Sequence, residues 1–421
     1  MFLNSMKPSD LIDIPKITRS AIREIPKTWQ SLNQTYLRPV TKKEVFRLNS
    51  MAILVGILAG YAAIGFRYLI GFFQNTILHH QLDWHLISPL DHVRGYWIFV
   101  ILPMGLLIST LITYFFAREA KGHGVPEVIE AVMTRSGRIR KRVVALKALA
   151  SSITIACGGS VGREGPIVQI GSAGGSAIGQ LLNLEPKLLK TLVGCGAAGA
   201  IAATFNTPIA GVIFAIEIIV LELKTKSFVP LVISSVFATV VSRLYLGNEP
   251  AFYVPEYRLS GPNELIFYLA LGILSGILGV IVIKSVYGFE DFFDNLKVPF
   301  WTKPLIGGLI LAALATIFPQ TMGVGYDTVT EVLQQKSSLT IMASLVFLKI
   351  FATSLTLASG GSGGVFAPSL FIGAMLGGTY GYLVNLYFPD VTAGYGAYAL
   401  VGMAALFSAT GRATFTAIVI L

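Results

Sequence analysis

A nine-residue glycine-rich segment of this chain has a counterpart later in the sequence. The segment Gly158-Gly159-Ser160-Val161-Gly162-Arg163-Glu164-Gly165-Pro166 lies over Gly360-Gly361-Ser362-Gly363-Gly364-Val365-Phe366-Ala367-Pro368, 202 positions later, with five of nine residues identical. At the same offset Ile170-Gly171 meets Ile372-Gly373, Gly175 meets Gly377 and Gly179 meets Gly381. Upstream, Gly122–Glu130 matches Gly323–Glu331 at offset 201, and downstream Gly196-Ala197-Ala198 faces Gly402-Met403-Ala404 at 206. Three motifs in the same order predict two structural halves of roughly 200 residues each. Small residues can recur because helices pack closely through them, but that explains one motif better than three in register.

The repeats sit in apolar surroundings. With 54% hydrophobic and 13% charged residues, the chain lies far from a soluble domain. Runs of about 20 apolar residues, enough to cross a bilayer, occur near 48–78, 96–117, 227–246, 263–287, 302–318, 340–358 and 394–408. The 43 glycines and 19 prolines fall largely inside this territory, where breakers survive only if the freed backbone groups face protein or a water-filled cavity. The expectation is an all-α polytopic membrane protein built as an inverted repeat of two halves, with discontinuous helices meeting at a midplane site. Its parts are a basic segment 1–45, a first repeat 46–250 and a second repeat 251–421 that stops at Leu421 inside an apolar run.

The net charge of +10 does not point to nucleic acid. Lys7, Lys16, Arg19, Arg23, Lys27, Arg38, Lys42, Lys43 and Arg47 all precede the first span, and Arg135, Arg138, Arg140, Lys141 and Arg142 form a second cluster, whereas the loop near 80–95 carries only Arg94. The positive-inside rule then puts the N-terminus in the cytoplasm of a cell-surface membrane. No cleavable leader pattern opens the chain. Cys157 and Cys195 lie in small-residue apolar stretches and read as packing residues, with neither a disulfide framework nor metal-ligand spacing.

A helix that starts inside the membrane offers up to four unpaired N–H groups and about half a positive charge. Glycines before it let the backbone approach an ion, and an early proline loses no hydrogen bond there. Both Gly162–Pro166 and Gly364–Pro368 have this layout, so the sign of the field favours anions over cations. No lysine adjoins either turn, which leaves backbone dipoles alone to bind an ion loosely enough for passage. Glu164 is expensive at membrane depth and therefore a functional candidate. It either pairs structurally with Arg163 or occupies the anion's own position and leaves on protonation.

These motifs resemble those of one family, the CLC chloride channels and chloride/proton exchangers, with hallmarks G-S-G-I-P, G-R-E-G-P and G-x-F-x-P. The second and third are matched in full at 162–166 and 364–368, and the resemblance covers roughly residues 45–421. It implies a homodimer with one anion pathway per subunit, Glu164 as the gating glutamate, and chloride contacts from His123, Gly162, Arg163, Gly165 and the amides of Val365 and Phe366. No metal or organic cofactor is implied; chloride is the ligand, with protons as a second partner if transport is coupled, and the bilayer as surroundings.

The chain departs from the family pattern at four points. Gly122-His123-Gly124-Val125-Pro126 puts histidine where serine usually offers its hydroxyl to the central anion; His123 either donates an N–H to the ion or caps the helix. The family's internal proton acceptor matches Ile218, which cannot carry a proton, while Glu217 matches the acid beside it. Glu217 is either a substitute on the proton path or a structural residue. Arg412-Ala413-Thr414 stands for the usual R-A-P, and the tyrosine that completes the central site falls beyond Leu421. Ile218 favours a voltage- or pH-gated channel over an exchanger. An intramembrane enzyme is not supported, since neither G-x-S-x-G nor H-E-x-x-H occurs, and no P-loop Lys-Ser/Thr follows the glycines.

Overall fold

A segment with a glycine-rich break between two apolar stretches can satisfy its backbone in lipid only as two helices whose inner ends are covered by protein. The computed structural model shows that arrangement twice. It describes residues 42–79, 81–84, 95–221, 225–248 and 252–421. Lys7, Lys16, Arg19, Arg23, Lys27, Arg38 and Arg94 lie outside the described residues, as do the side chains of Lys42 and Lys43. The chain divides into two units, Met1–Arg47 and Leu48–Leu421, and both repeats lie in the second.

Among the described residues the chain is helical, with isolated bridges in place of strands. The first half runs α1 (Lys42–Gln74), α2 (Ile98–Phe116), α3 (Val125–Thr134), α4 (Val143–Ala156), α5 (Glu164–Leu181), α6 (Pro186–Phe205), α7 (Pro208–Phe214, continued by a π-type turn Ala215–Val220) and α8 (Thr225–Leu246). The second runs α9 (Glu264–Asn295), α10 (Thr302–Ile317), α11 (Tyr326–Leu333), α12 (Leu339–Ala358), α13 (Phe366–Tyr387), α14 (Tyr395–Gly411) and α15 (Thr414–Ile420). The pairs α3/α11, α4/α12, α5/α13 and α6/α14 are repeat mates. Packing follows the repeat: α5 lies on α6 as α13 lies on α14, and α2 meets α4 as α10 meets α12.

Both helix crossings run through glycine. A methyl added at Gly196 would sit 2.0 Å from the Gly171 carbonyl oxygen, and one at Gly373 2.4 Å from that of Gly402. Any side chain there would push the helices apart, which is the small-residue packing that association in lipid relies on. Asn206 and Arg412 end α6 and α14 in the same left-handed conformation, φ 60° and 53°, the usual device for closing a helix C-terminus.

Among the described residues six helices are long and apolar enough to cross a membrane: Glu44–Leu78, Gly95–Phe116, Pro186–Phe205, Ser227–Leu246, Glu264–Asn295 and Leu339–Ala358. Two expected spans, near 302–318 and 394–408, fold as helices of 16 and 17 residues, short of the hydrocarbon thickness at 1.5 Å per residue. Conversely, Pro186–Phe205 is a span that the apolar-run criterion passes over, because glycine and alanine replace larger side chains. It is also the most interior, with 83% of its window buried against 28% for Glu264–Asn295. Cys157 and Cys195 are both buried and unpaired.

Candidate functional site

The two glycine-rich turns are hydrogen-bonded to each other. Gly162 N donates to Gly364 O at 2.7 Å and Gly364 N returns the bond to Gly162 O at 2.8 Å, so equivalent residues face each other across the repeat axis. Flanking bonds obey the same symmetry. Ser160 N donates to Thr356 Oγ1 at 3.1 Å and Ser362 N to Thr154 Oγ1 at 3.2 Å. Gly158 and Gly360 both take positive φ, 100° and 112°, a region open to glycine at no steric cost, which turns each chain out of α4 or α12 and toward the axis.

From this clasp α5 and α13 start, with Glu164 and Phe366 as first helical residues and Arg163 and Val365 as N-caps that offer no side-chain cap. The leading amides of both helices therefore lack intrahelical partners. Glu164 is fully buried. The empty face of Gly162 is bordered by Glu164 Oε2, 2.6 Å from where a Cβ would stand, and by Ala367 N at 3.0 Å. The carboxylate thus reaches the space in front of α13, whose N-terminus attracts negative charge. Phe366 closes that space from the other side, its ring 3.9 Å from Phe407 and 5.5 Å from Phe205 between centroids.

Glu164 is held at two points. Its Oε1 accepts a hydrogen bond from the Tyr326 hydroxyl, and Arg163 Nε lies 3.7 Å from the same oxygen. Arg163 also stacks over the Tyr326 ring at 5.4 Å, and Phe252 packs edge-on against it at 4.7 Å. Among the described residues Glu164 Oε2 has no hydrogen-bond partner. A cavity of about 20 Å³ is bordered by Arg67, Arg163 and Thr204, room for about one water-sized particle. A hydrogen bond to a charged group stabilises by about 1.5–3 kcal/mol. Tyr326→Phe is therefore expected to raise chloride efflux at neutral pH about tenfold by freeing the carboxylate; an unchanged efflux rate would show that Tyr326 does not restrain it.

Lysines do stand behind the turns, against the expectation that backbone dipoles act alone. Lys147 and Lys349, 202 positions apart, are both fully buried. Lys147 Nζ donates to Ala120 O at 3.0 Å and Gly122 O at 2.8 Å; Lys349 Nζ donates to Thr321 O at 3.0 Å and Gly323 O at 2.9 Å. Each Nζ pins the loop that leads into α3 or α11 by two hydrogen bonds to its carbonyls. The signal was in the sequence, as Val144-Ala145-Leu146-Lys147 recurs as Val346-Phe347-Leu348-Lys349. Tyr326, by contrast, lies 162 residues from Glu164, and no local pattern marks it.

His123 belongs to the first of those loops. Its backbone is part of the site, because a Cβ on Gly165 would stand 2.1 Å from His123 O. Its imidazole is directed to α9, with Nε2 3.5 Å from Glu290 Oε1 and the ring edge-on to Tyr287. Glu217 lies on the π-type turn after α7, and both its oxygens are used at the start of α15: Phe415 N at 3.1 Å, Thr416 N at 3.0 Å and Thr416 Oγ1 at 2.7 Å. A carboxylate on the first amides of a helix caps it; this helix begins at Thr414, the position of the proline in the R-A-P pattern. Ile218, beside it, is buried in the core.

A family model described as voltage gated chloride channel matches residues 104–421. The chain belongs to the CLC family. Among CLC relatives, the H(+)/Cl(-) exchange transporter ClcA of Vibrio campbellii is 31% identical over 420 residues, covering 97% of this chain and 88% of that protein. The putative chloride channel protein ClcB-like of Ralstonia nicotianae is 29% identical over 383 residues, covering 88% and 87%. In fold, the chain is similar to a slow cyanobacterial Cl-/H+ antiporter, with a TM-score of 0.78, 23% identity and coverage of 89% and 88%. It is likewise similar to a CLC-type fluoride/proton antiporter, at 0.77, 22% and 91% of each chain. The CLC fold is thus a multi-pass membrane protein, with the paired turns at its centre.

Proposed function

We propose that this CLC protein exchanges chloride for protons, with the Glu164 carboxylate alternately filling and vacating the anion's place. The observation that carries the reading is the position of Glu164: a buried carboxylate at the start of α5 that shares the Gly162 face with the first amides of α13. Ionised, it competes with chloride for the same donors and the same positive end of the helix. Protonated, it loses that attraction and yields the place to the ion. One site that accepts either a carboxylate or chloride, but not both, couples the two movements.

Ile218 argued for an uncoupled channel, and relatives named as H(+)/Cl(-) exchange transporters support exchange better. His123, Gly162, Arg163, Gly165, Val365 and Phe366 form the anion's surroundings in this reading, and Lys147 and Lys349 hold the loops behind them. Glu217 serves as the cap of α15. The basic clusters support a cytoplasmic N-terminus, and a homodimer with one pathway per subunit is part of the same reading.

The test is made in chloride-loaded vesicles at a voltage set by valinomycin, with chloride efflux and external pH recorded together. Wild type is expected to move protons in fixed ratio and to be driven uphill by a proton gradient. Glu164→Gln is expected to pass chloride with proton movement lost. Wild-type efflux without protons makes the protein a channel, and wild-type protein that moves no chloride removes the anion pathway itself.

A further inference from the structure

Coupled transport needs a route for protons to the pathway, and this chain has isoleucine at 218 and a helix cap at Glu217. Another titratable pair stands at the opposite side of the central turn. His123 Nε2 lies 3.5 Å from Glu290 Oε1, close enough for a small side-chain motion to make a hydrogen bond, and has no hydrogen-bond partner among the described residues. The two side chains are 13% and 29% exposed, so the pair is interior at the imidazole and open to water at the carboxylate.

The surroundings form a polar mouth. Lys121 reaches Asp294 at 3.8 Å one turn further along α9, and a cavity of about 470 Å³ beside them is lined by Thr110, Arg118, Lys121, Asp294, Lys303 and Gly360. The groups facing the pair are Lys121 from the turn, Glu127 from α3, Lys147 from α4, and Tyr287, Asp291 and Asp294 from α9. On its other side the His123 carbonyl touches Gly165, the residue after the gate. The imidazole therefore stands between bulk water and the turn that carries Glu164.

We infer that Glu290 and His123 form the proton-loading pair of this protein, taking the place of the carboxylate missing at 218; the inference rests on the exchange reading. Glu290, protonated from water, gives its proton to Nε2; the O–H bond breaks, an N–H bond forms, and a carboxylate and an imidazolium remain. The imidazolium then turns and releases the same Nε2 proton to water in the pathway, which delivers it to the Glu164 carboxylate, so the neutral ring is left in its starting tautomer for the next cycle. Burial, and then the Lys147 charge, lower the His123 imidazole from its ordinary 6.5 to about 4, so an imidazolium formed there gives its proton up readily. Serine at this position would carry no such proton.

The experiment compares wild type, Glu290→Gln and Glu290→Asp in the two-ion vesicle assay. Glu290→Gln is expected to lower proton flux at least tenfold while chloride flux stays within about twofold of wild type, and Glu290→Asp to restore coupling. A Glu290→Gln protein with the wild-type proton-to-chloride ratio overturns the pair and leaves exchange standing. A wild-type protein that moves no protons overturns both. If Glu290→Gln moves neither ion, Glu290→Asp decides: inactive, it assigns the residue a structural role and overturns the inference; coupled, it upholds the need for a carboxyl group there.

Discussion

Gly165→Ala is expected to abolish the folded protein, with no monodisperse peak on size-exclusion chromatography in detergent. The added Cβ would lie 2.1 Å from His123 O and 2.9 Å from Gly364 Cα. Both neighbours are backbone, so neither can yield by changing rotamer. Relief requires moving the His123 loop, which Lys147 holds at Gly122 O, or the Gly364 turn, which is bonded to Gly162. Overpacking a tight interior typically costs about 1–3 kcal/mol even where side chains adjust; here the loss includes the clasp itself. The matched control is Gly276→Ala on α9, where nothing lies within 4 Å and alanine gains about 0.5–1 kcal/mol of helix preference. A Gly165→Ala protein that melts with wild type would mean that the turns are not held as described.

Lys349→Met should lower stability. The substitution keeps the length of the side chain but strips the Thr321 and Gly323 carbonyls of their cationic donor. Each buried acceptor left unmatched costs about 1–3 kcal/mol, partly offset because a buried cation no longer has to be desolvated. A net loss of about 2–4 kcal/mol follows, seen as a fall of several degrees in the unfolding midpoint. An unchanged midpoint would reduce Lys349 to a space-filling role.

Much of this architecture was legible because the repeat is written in residues whose backbone roles are specific. Glycine before a helix and proline in its first turn mark where α5 and α13 begin, and the structure starts them at Glu164 and Phe366. What escaped has physical reasons. The Pro186–Phe205 span is rich in glycine and alanine because it is packed deep in the interior, and interior helices in lipid need small residues more than greasy ones. Tyr326 meets Glu164 only through the fold. The direction of the His123 ring depends on α9, which begins 141 residues later. The buried lysines were the avoidable miss, since the offset that found the glycines also pairs Lys147 with Lys349.

The clasp between Gly162 and Gly364 has a mechanical consequence. A transporter that works by rocking one half against the other must have a compliant seam between them. Here the seam is stitched where it would have to open, by reciprocal amide bonds and by threonines that reach across from each half. Without a hinge at the axis, the exchange proposed for this protein would leave alternate exposure of the ion to small parts: a carboxylate that swings, a tyrosine that lets go, a few waters that rearrange. Turnover in such a machine is set by side-chain rotation and proton arrival rather than by the swing of whole domains.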